Sequence, residues 1–218
     1  MKSNKFLKKL IVAVLSLGIL LPAGVSENHN FAQAVTNGWH KNGSDWYYYM
    51  GGKPLKNQWY DDYYLKSDGK MANNEWVYDN NEKAWYFFSQ DGRVKRDAWI
   101  QWDFRRRDYY YLHPSGKMAH DEWIDYYYYL KSDGTMAAEE WIYDKGNSAW
   151  YYLDYHGKFL SSVWKGDYYL KSNGKMARNE WIFDKSYNAW YYLKKDGKYA
   201  RNEWIGKYYF GKDGKWVK

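Results

Sequence analysis

Residues 59–76 read WYDDYYLKSDGKMANNEW and residues 164–181 read WKGDYYLKSNGKMARNEW, one phrase written twice. Working outward from these copies, a Trp bounds each phrase at Trp39, Trp59, Trp76, Trp99, Trp123, Trp141, Trp164, Trp181 and Trp204, and short spacings of 17 or 18 residues tend to alternate with long ones of 23 or 24. Self-similarity at a short period marks a tandem array. Every unit holds a run of aromatic, β-favouring residues, a turn such as Ser67-Asp68-Gly69-Lys70 or Lys195-Asp196-Gly197-Lys198, and a second short run ending in Trp. That order predicts a β-hairpin turned at the glycine, which accepts the positive φ of a tight turn. A two-stranded hairpin alone is marginal in water, so the units must stack and bury rings against their neighbours. The expected fold is all-β, an elongated solenoid of tandem β-hairpins, about nine units by the count of boundary tryptophans.

The array starts late in the chain. Lys2, Lys5, Lys8 and Lys9 precede an apolar run of 12 residues from Leu10 to Leu21, and small Ala32 and Ala34 frame an Ala-x-Ala cleavage site. A helix needs roughly 20 apolar residues to cross a bilayer, so this segment reads as a secretory signal peptide and not as a membrane span. The expected organisation is residues 1–34 as signal peptide and residues 35–218 as the repeat domain of a secreted protein. There is no Cys, so an exported chain of this size must be stabilised by packing between neighbouring units. All 15 Trp and 27 Tyr lie beyond residue 34, while Leu, Ile and Val are sparse there. Rings must therefore supply most of the apolar burial, and a core of large aliphatic side chains is not expected. Beyond residue 34 the charge is 29 basic against 25 acidic residues, a mild +4 that suits an anionic polymer without demanding one.

Several chemistries find no support. Glu75, Glu122, Glu140, Glu180 and Glu203 each precede a boundary Trp, which makes them repeat features, whereas a catalytic carboxylate pair occurs once in one pocket. The five His show no metal-ligand spacing, and no phosphate loop or nucleophile motif occurs. Arg105-Arg106-Arg107 is a single basic cluster in one unit, not the continuous stripe that nucleic acid requires. The expectation is a binding protein that is not an enzyme, with no cofactor, no metal and no nucleic-acid partner.

The aromatic pattern carries more information. In long units the boundary Trp is followed nine residues later by a second one, as in Trp76 and Trp85, Trp141 and Trp150, and Trp181 and Trp190; Trp39 and Trp46 form a similar pair seven apart. Two indoles from one hairpin can wall a cavity, and a Tyr on the next hairpin can face back to close a third side. The candidate triads are Trp39, Trp46 and Tyr63; Trp76, Trp85 and Tyr110; Trp141, Trp150 and Tyr168; and Trp181, Trp190 and Tyr208. A three-ring box suits a quaternary ammonium, whose charge is spread over methyl groups that cannot donate hydrogen bonds. Trp99 with Tyr109 and Trp123 with Tyr127 put a smaller ring in the second wall and should bind more weakly. Asp62 and Asp167 stand where the second indole would be beside Trp59 and Trp164, and those junctions should be nearly empty.

The phrases AWYYLDYHGK (149–158), AWYYLKKDGK (189–198) and YYLKSDGKMANNEW (63–76) resemble the choline-binding repeats of Gram-positive surface proteins from Gly38 onward. The resemblance implies a left-handed hairpin solenoid with choline seated between successive hairpins. It also implies noncovalent attachment to phosphocholine on teichoic and lipoteichoic acids of the cell wall, in a surface protein open to an adhesin role. An apolar side chain often closes such a site, for which Met118 and Met176 are the candidates. The sequence departs from the family pattern where Glu replaces the usual Gly before the boundary Trp. The alternative is a glucan-binding carbohydrate module, in which the rings stack on sugars.

Overall fold

The computed structural model describes residues 35–104, 106 and 108–217; the expected signal peptide, residues 1–34, lies outside the described residues. Within them the chain forms nine small antiparallel sheets and no helix. The first hairpin pairs Gly38–Asn42 with Asp45–Met50 and adds Lys53–Pro54 as a third strand. The others pair Gln58–Tyr60 with Tyr63–Leu65, Glu75–Asp79 with Ala84–Phe88, Ala98–Asp103 with Asp108–Leu112, and Glu122–Ile124 with Tyr128–Leu130. Trp141–Asp144 with Ala149–Tyr152, Val163–Lys165 with Tyr168–Leu170, Glu180–Asp184 with Ala189–Leu193, and Glu203–Ile205 with Tyr208–Phe210 complete the series. Hairpins whose strands hold three residues each alternate, with one exception, with hairpins of four to six.

The all-β hairpin reading holds, but the turn does not fall where the sequence put it. Strands pair across Asp61-Asp62, Gly166-Asp167 and their equivalents, so the boundary Trp opens a hairpin and does not close one. The glycine turns at Gly69, Gly92, Gly157 and Gly197 link one hairpin to the next. After each such turn the chain makes a single antiparallel bridge, Leu65 with Met71 and Leu170 with Met176 for example. The residue in that bridge then donates its backbone N–H to the hairpin before its own: Met71 to the Trp46 carbonyl at 2.7 Å, Met118 to Trp85 at 2.9 Å, Met176 to Trp150 at 2.8 Å and Trp216 to Trp190 at 2.8 Å. Val94, Met136, Phe159 and Tyr199 do the same toward Asp62, Tyr109, Tyr127 and Asp167, so a hydrogen bond stitches every hairpin to its neighbour.

The core also differs from expectation. Rings contribute much of the burial, yet the side chain with no exposure in each repeat after the first is Leu65, Leu112, Leu130, Leu153, Leu170 or Leu193, replaced by Phe88 and Phe210 in two of them. Ala72, Ala119, Ala137, Ala177 and Ala200 are equally buried, each donating its N–H to the second strand of its hairpin, a position that Lys95, Leu160 and Val217 hold in other repeats. An aliphatic line therefore runs through the repeats, and the rings pack around it. The five glutamates before the boundary tryptophans pair nine residues back, as in Lys66–Glu75 at 2.9 Å, Lys131–Glu140 at 3.2 Å and Lys171–Glu180 at 2.9 Å. They also accept backbone N–H groups of the linking segment, Asn73 to Glu75 and Arg178 to Glu180.

Candidate functional site

Strand register explains the recurring aromatic offset. In the long hairpins the second aromatic lies directly across from the residue two beyond the boundary Trp: Lys41 faces Trp46, Tyr78 faces Trp85, Tyr143 faces Trp150, and Phe183 faces Trp190. Cross-strand alternation then puts both indoles on the same face as diagonal neighbours. The offset is seven where two residues make the turn and nine where four do. A hairpin with three-residue strands ends at that position, so Asp62 and Asp167 fall in or beside the turn.

All four expected tyrosines meet their tryptophans. Ring centroids lie 4.9 Å apart for Trp39 and Tyr63, 5.0 Å for Trp76 and Tyr110, 5.1 Å for Trp141 and Tyr168, and 4.9 Å for Trp181 and Tyr208. The paired indoles stand edge to face, 6.5 Å apart for Trp39 and Trp46 and 6.4 Å for Trp181 and Trp190. Trp39, Trp46, Tyr63 and Met71 line one cavity of about 320 Å³, and Trp181, Trp190, Tyr208 and Trp216 line another of about 320 Å³. Asp91 reaches the first from the turn after the third hairpin, and Arg93 Nε donates to the Tyr63 hydroxyl at 3.2 Å, fixing that wall. The second indoles remain open to solvent, with Trp46, Trp85, Trp150 and Trp190 at 38%, 43%, 37% and 43% exposure.

The fourth wall was only half legible. Met118, one of the two expected, lines a cavity there, and so do Met71, Met136 and Trp216; Met176 holds the equivalent backbone place, its N–H on the Trp150 carbonyl. The Gly-x-Met spacing at Gly69, Gly116, Gly134 and Gly174 was the signal that could have found Met71 and Met136.

The Trp59, Trp123 and Trp164 junctions are built otherwise. Each indole Nε1 donates to a buried carboxylate of the next hairpin, to Asp79 at 2.6 Å, Asp144 at 2.8 Å and Asp184 at 2.5 Å. The same carboxylates cap the loop of their own hairpin, accepting from the N–H of Asn81, Gly146 and Ser186. Burial alone would raise the Asp144 carboxyl, but donors from Asn147, Trp123 and Gly146 outweigh it and hold it below the usual carboxylate range; Asp184 is lowered likewise by Trp164, Tyr187 and Ser186. The third-wall rings Tyr86, Tyr151 and Tyr191 are each 5% exposed, and Val94, Phe159 or Tyr199 fills the remaining side. Phe159 stacks on Tyr127, centroids 5.6 Å apart.

Two junctions that look alike in sequence thus part company. Trp123, Tyr126, Tyr151 and Phe159 border a small pocket of about 220 Å³, whereas Trp99, Tyr109, Tyr128 and Met136 line a cavity of about 480 Å³ together with Gln101, Phe104, Asp125, Tyr155 and His156. Among the described residues no helix is long and apolar enough to cross a membrane.

A family model described as the choline-binding repeat matches residues 53–93, 117–159 and 158–188, just over half of the chain, and one for a cell wall binding repeat matches residues 179–199. The chain is 44% identical to the choline-binding domain of CbpL from Streptococcus pneumoniae over 84% of this chain and 87% of that one, with a TM-score of 0.47. It is 41% identical to the modular autolysin LytC of the same organism, over 73% of this chain and 37% of that one, with a TM-score of 0.63. A pneumococcal protein named for endo-β-N-acetylglucosaminidase activity is 39% identical over 58 residues, which span 27% of this chain and 9% of that protein's length.

Proposed function

The chain belongs to the choline-binding repeat family, and from that premise we propose that it is an attachment module whose aromatic cages seat choline groups of a Gram-positive cell wall, holding the protein at the cell surface. The triads Trp39, Trp46 and Tyr63; Trp76, Trp85 and Tyr110; Trp141, Trp150 and Tyr168; and Trp181, Trp190 and Tyr208 hold the trimethylammonium head. The fourth wall, Met71, Met118, Met176 or Trp216, closes each cage. Phosphocholine on teichoic and lipoteichoic acids is the partner that presents such heads in series.

The observation that carries this reading is a cavity walled by three or four aromatic rings, built twice at opposite ends of the repeat array with the same volume of about 320 Å³. Each ring contributes about 0.5 to 2 kcal/mol to a cation, so a single cage reaches only about millimolar affinity. Several cages on one polymer raise the avidity by roughly a hundredfold or more where spacings match. The likeness to enzymes resides in the repeats they share with this chain, and supports the binding role alone.

Retention on a choline-like resin and release by free choline test the proposal. Release by dextran and not by choline would replace it with a glucan-binding reading.

A further inference from the structure

One position recurs at the rim of the open cages. Asp91 precedes Gly92 and lines the Trp39 cavity; Asp133 precedes Gly134 and lines the cavity holding Trp85 and Met118; His156 precedes Gly157 and lines the Trp99 cavity. The backbone fixes this equivalence. A Cβ at Gly92, Gly134 or Gly157 would come within 2.3, 2.4 or 2.5 Å of the Cε of Met71, Met118 or Met136, so each glycine lies on the methionine wall and delivers the residue before it to the same place.

Asp91 and Asp133 also cap their turns, Asp91 Oδ1 accepting from Ser89 Oγ and the Arg93 N–H, and Asp133 Oδ1 from the N–H and hydroxyl of Thr135. In the sixth unit the cap moves two residues back. Asp154 Oδ1 accepts from the N–H of His156 at 2.8 Å and of Lys158 at 2.9 Å, which frees position 156 to carry a ring, edge-on to Tyr155 at 5.2 Å. An acceptor-only carboxylate is thereby exchanged for a donor. The cavity is also half as large again as the Trp39 cavity, about 480 against 320 Å³, and adds Gln101, Phe104 and Tyr155, while Asp125 remains as a carboxylate that favours a cation. Lys158, its Nζ 5.9 Å from the Tyr128 ring centroid, places a positive charge beside that wall, as Arg93 does beside Tyr63, so the two cages differ in their lining and not in this charge.

We propose that the Trp99 junction reads a quaternary ammonium together with the phosphate ester attached to it, whereas the Trp39 cage, lined by Asp91, reads the ammonium alone. Trp99, Tyr109, Tyr128 and Met136 hold the cation, and His156 and Gln101 donate to the phosphate. The inference rests on the choline reading above. At Asp91 a phosphate meets a like charge, and at His156 it meets an N–H.

The test follows the indole NMR resonances of the full chain during titration with choline and with glycerophosphocholine, a phosphodiester of choline. Trp99 should respond at a concentration of the diester lower by about threefold or more than of choline, the scale of one modest hydrogen bond, and Trp39 should show no such preference. His156→Asp should abolish the preference at Trp99 alone, and Asp91→His should create it at Trp39. Co-sedimentation with phosphatidylcholine vesicles, lost in His156→Asp, would sustain the site and assign its diester to a lipid; no co-sedimentation would leave a wall polymer as the source. A Trp99 resonance indifferent to both ligands while Trp39 and Trp181 respond would overturn the proposal. So would an unchanged ligand preference in His156→Asp, or a response to inorganic phosphate alone as strong as that to the diester. If no indole responds to choline, the failure is that of the choline reading itself.

Discussion

The Trp164 and Trp181 junctions are successive and begin with the same residue on the same strand position, yet one is sealed and the other open. At Trp164 the indole N–H is consumed by Asp184, Tyr191 is 5% exposed, and Tyr199 fills the fourth side. At Trp181 the second strand carries Trp190 in place of a turn residue, and a cavity of about 320 Å³ is left between four rings. The same residue type thus serves as packed core or as cavity wall, and what decides between them is the length of its hairpin. A three-residue strand has no room for a second aromatic, and the long hairpin that follows it supplies the aspartate that satisfies the first.

Substitution of the two tryptophans separates the roles most widely. Trp164→Ala should cost about 3 to 5 kcal/mol of stability, as for truncation of a packed ring, and leave the number of choline equivalents unchanged; Trp190→Ala should cost about 1 kcal/mol or less and remove one equivalent. Chemical denaturation and calorimetric titration read both, and equal stability losses would erase the distinction. Asp184→Ala strands the Trp164 N–H and uncaps the loop at a cost of about 1 to 3 kcal/mol. The pH dependence follows from the same group. Asp144 and Asp184 titrate below their unfolded values, so their stabilisation is complete above about pH 4 and is lost as pH falls through the folded values. Asp184→Asn should flatten that acid limb of the stability curve while choline binding at neutral pH persists.

Gly92→Ala sharpens the comparison at a single cage. Its φ of 82° and a Cβ 2.3 Å from Met71 Cε push the thioether toward the Trp39 cavity; the loss is about 1 kcal/mol of stability, with weaker binding seen in the Trp39 resonance and not in that of Trp181. Smallest of all, Lys171→Ala breaks a pair whose partners are each about a third exposed, and should cost less than about 1 kcal/mol with no effect on choline.

Much of this was legible because periodicity survives in composition. The repeat, the hairpins and the four Trp-Trp-Tyr triads follow from spacing and strand alternation alone. The hairpin turn was not legible, because glycine signals a turn more loudly than Asp61, which adopts φ of 50° without one. The part played by Asp79, Asp144 and Asp184 was hidden by distance, since each answers a Trp 20 or 21 residues earlier. Trp99 and Trp123 looked equivalent because each is followed by a Tyr; the residue that separates them, Met136 or Phe159, arrives from the far side of the next hairpin.

The stitching of every hairpin to the one before it bears on how such a chain can grow. Trp141 and Trp181 stand 40 residues apart and both begin long hairpins, with the Trp164 junction between them. Insertion or removal of such a pair of hairpins would keep each short hairpin beside a long one and change the number of Trp-Trp-Tyr triads by one. A shift of a single hairpin would bring two of one kind together, as at the long third and fourth hairpins. The couple of one short and one long hairpin is therefore the unit by which this architecture can lengthen without changing its pattern.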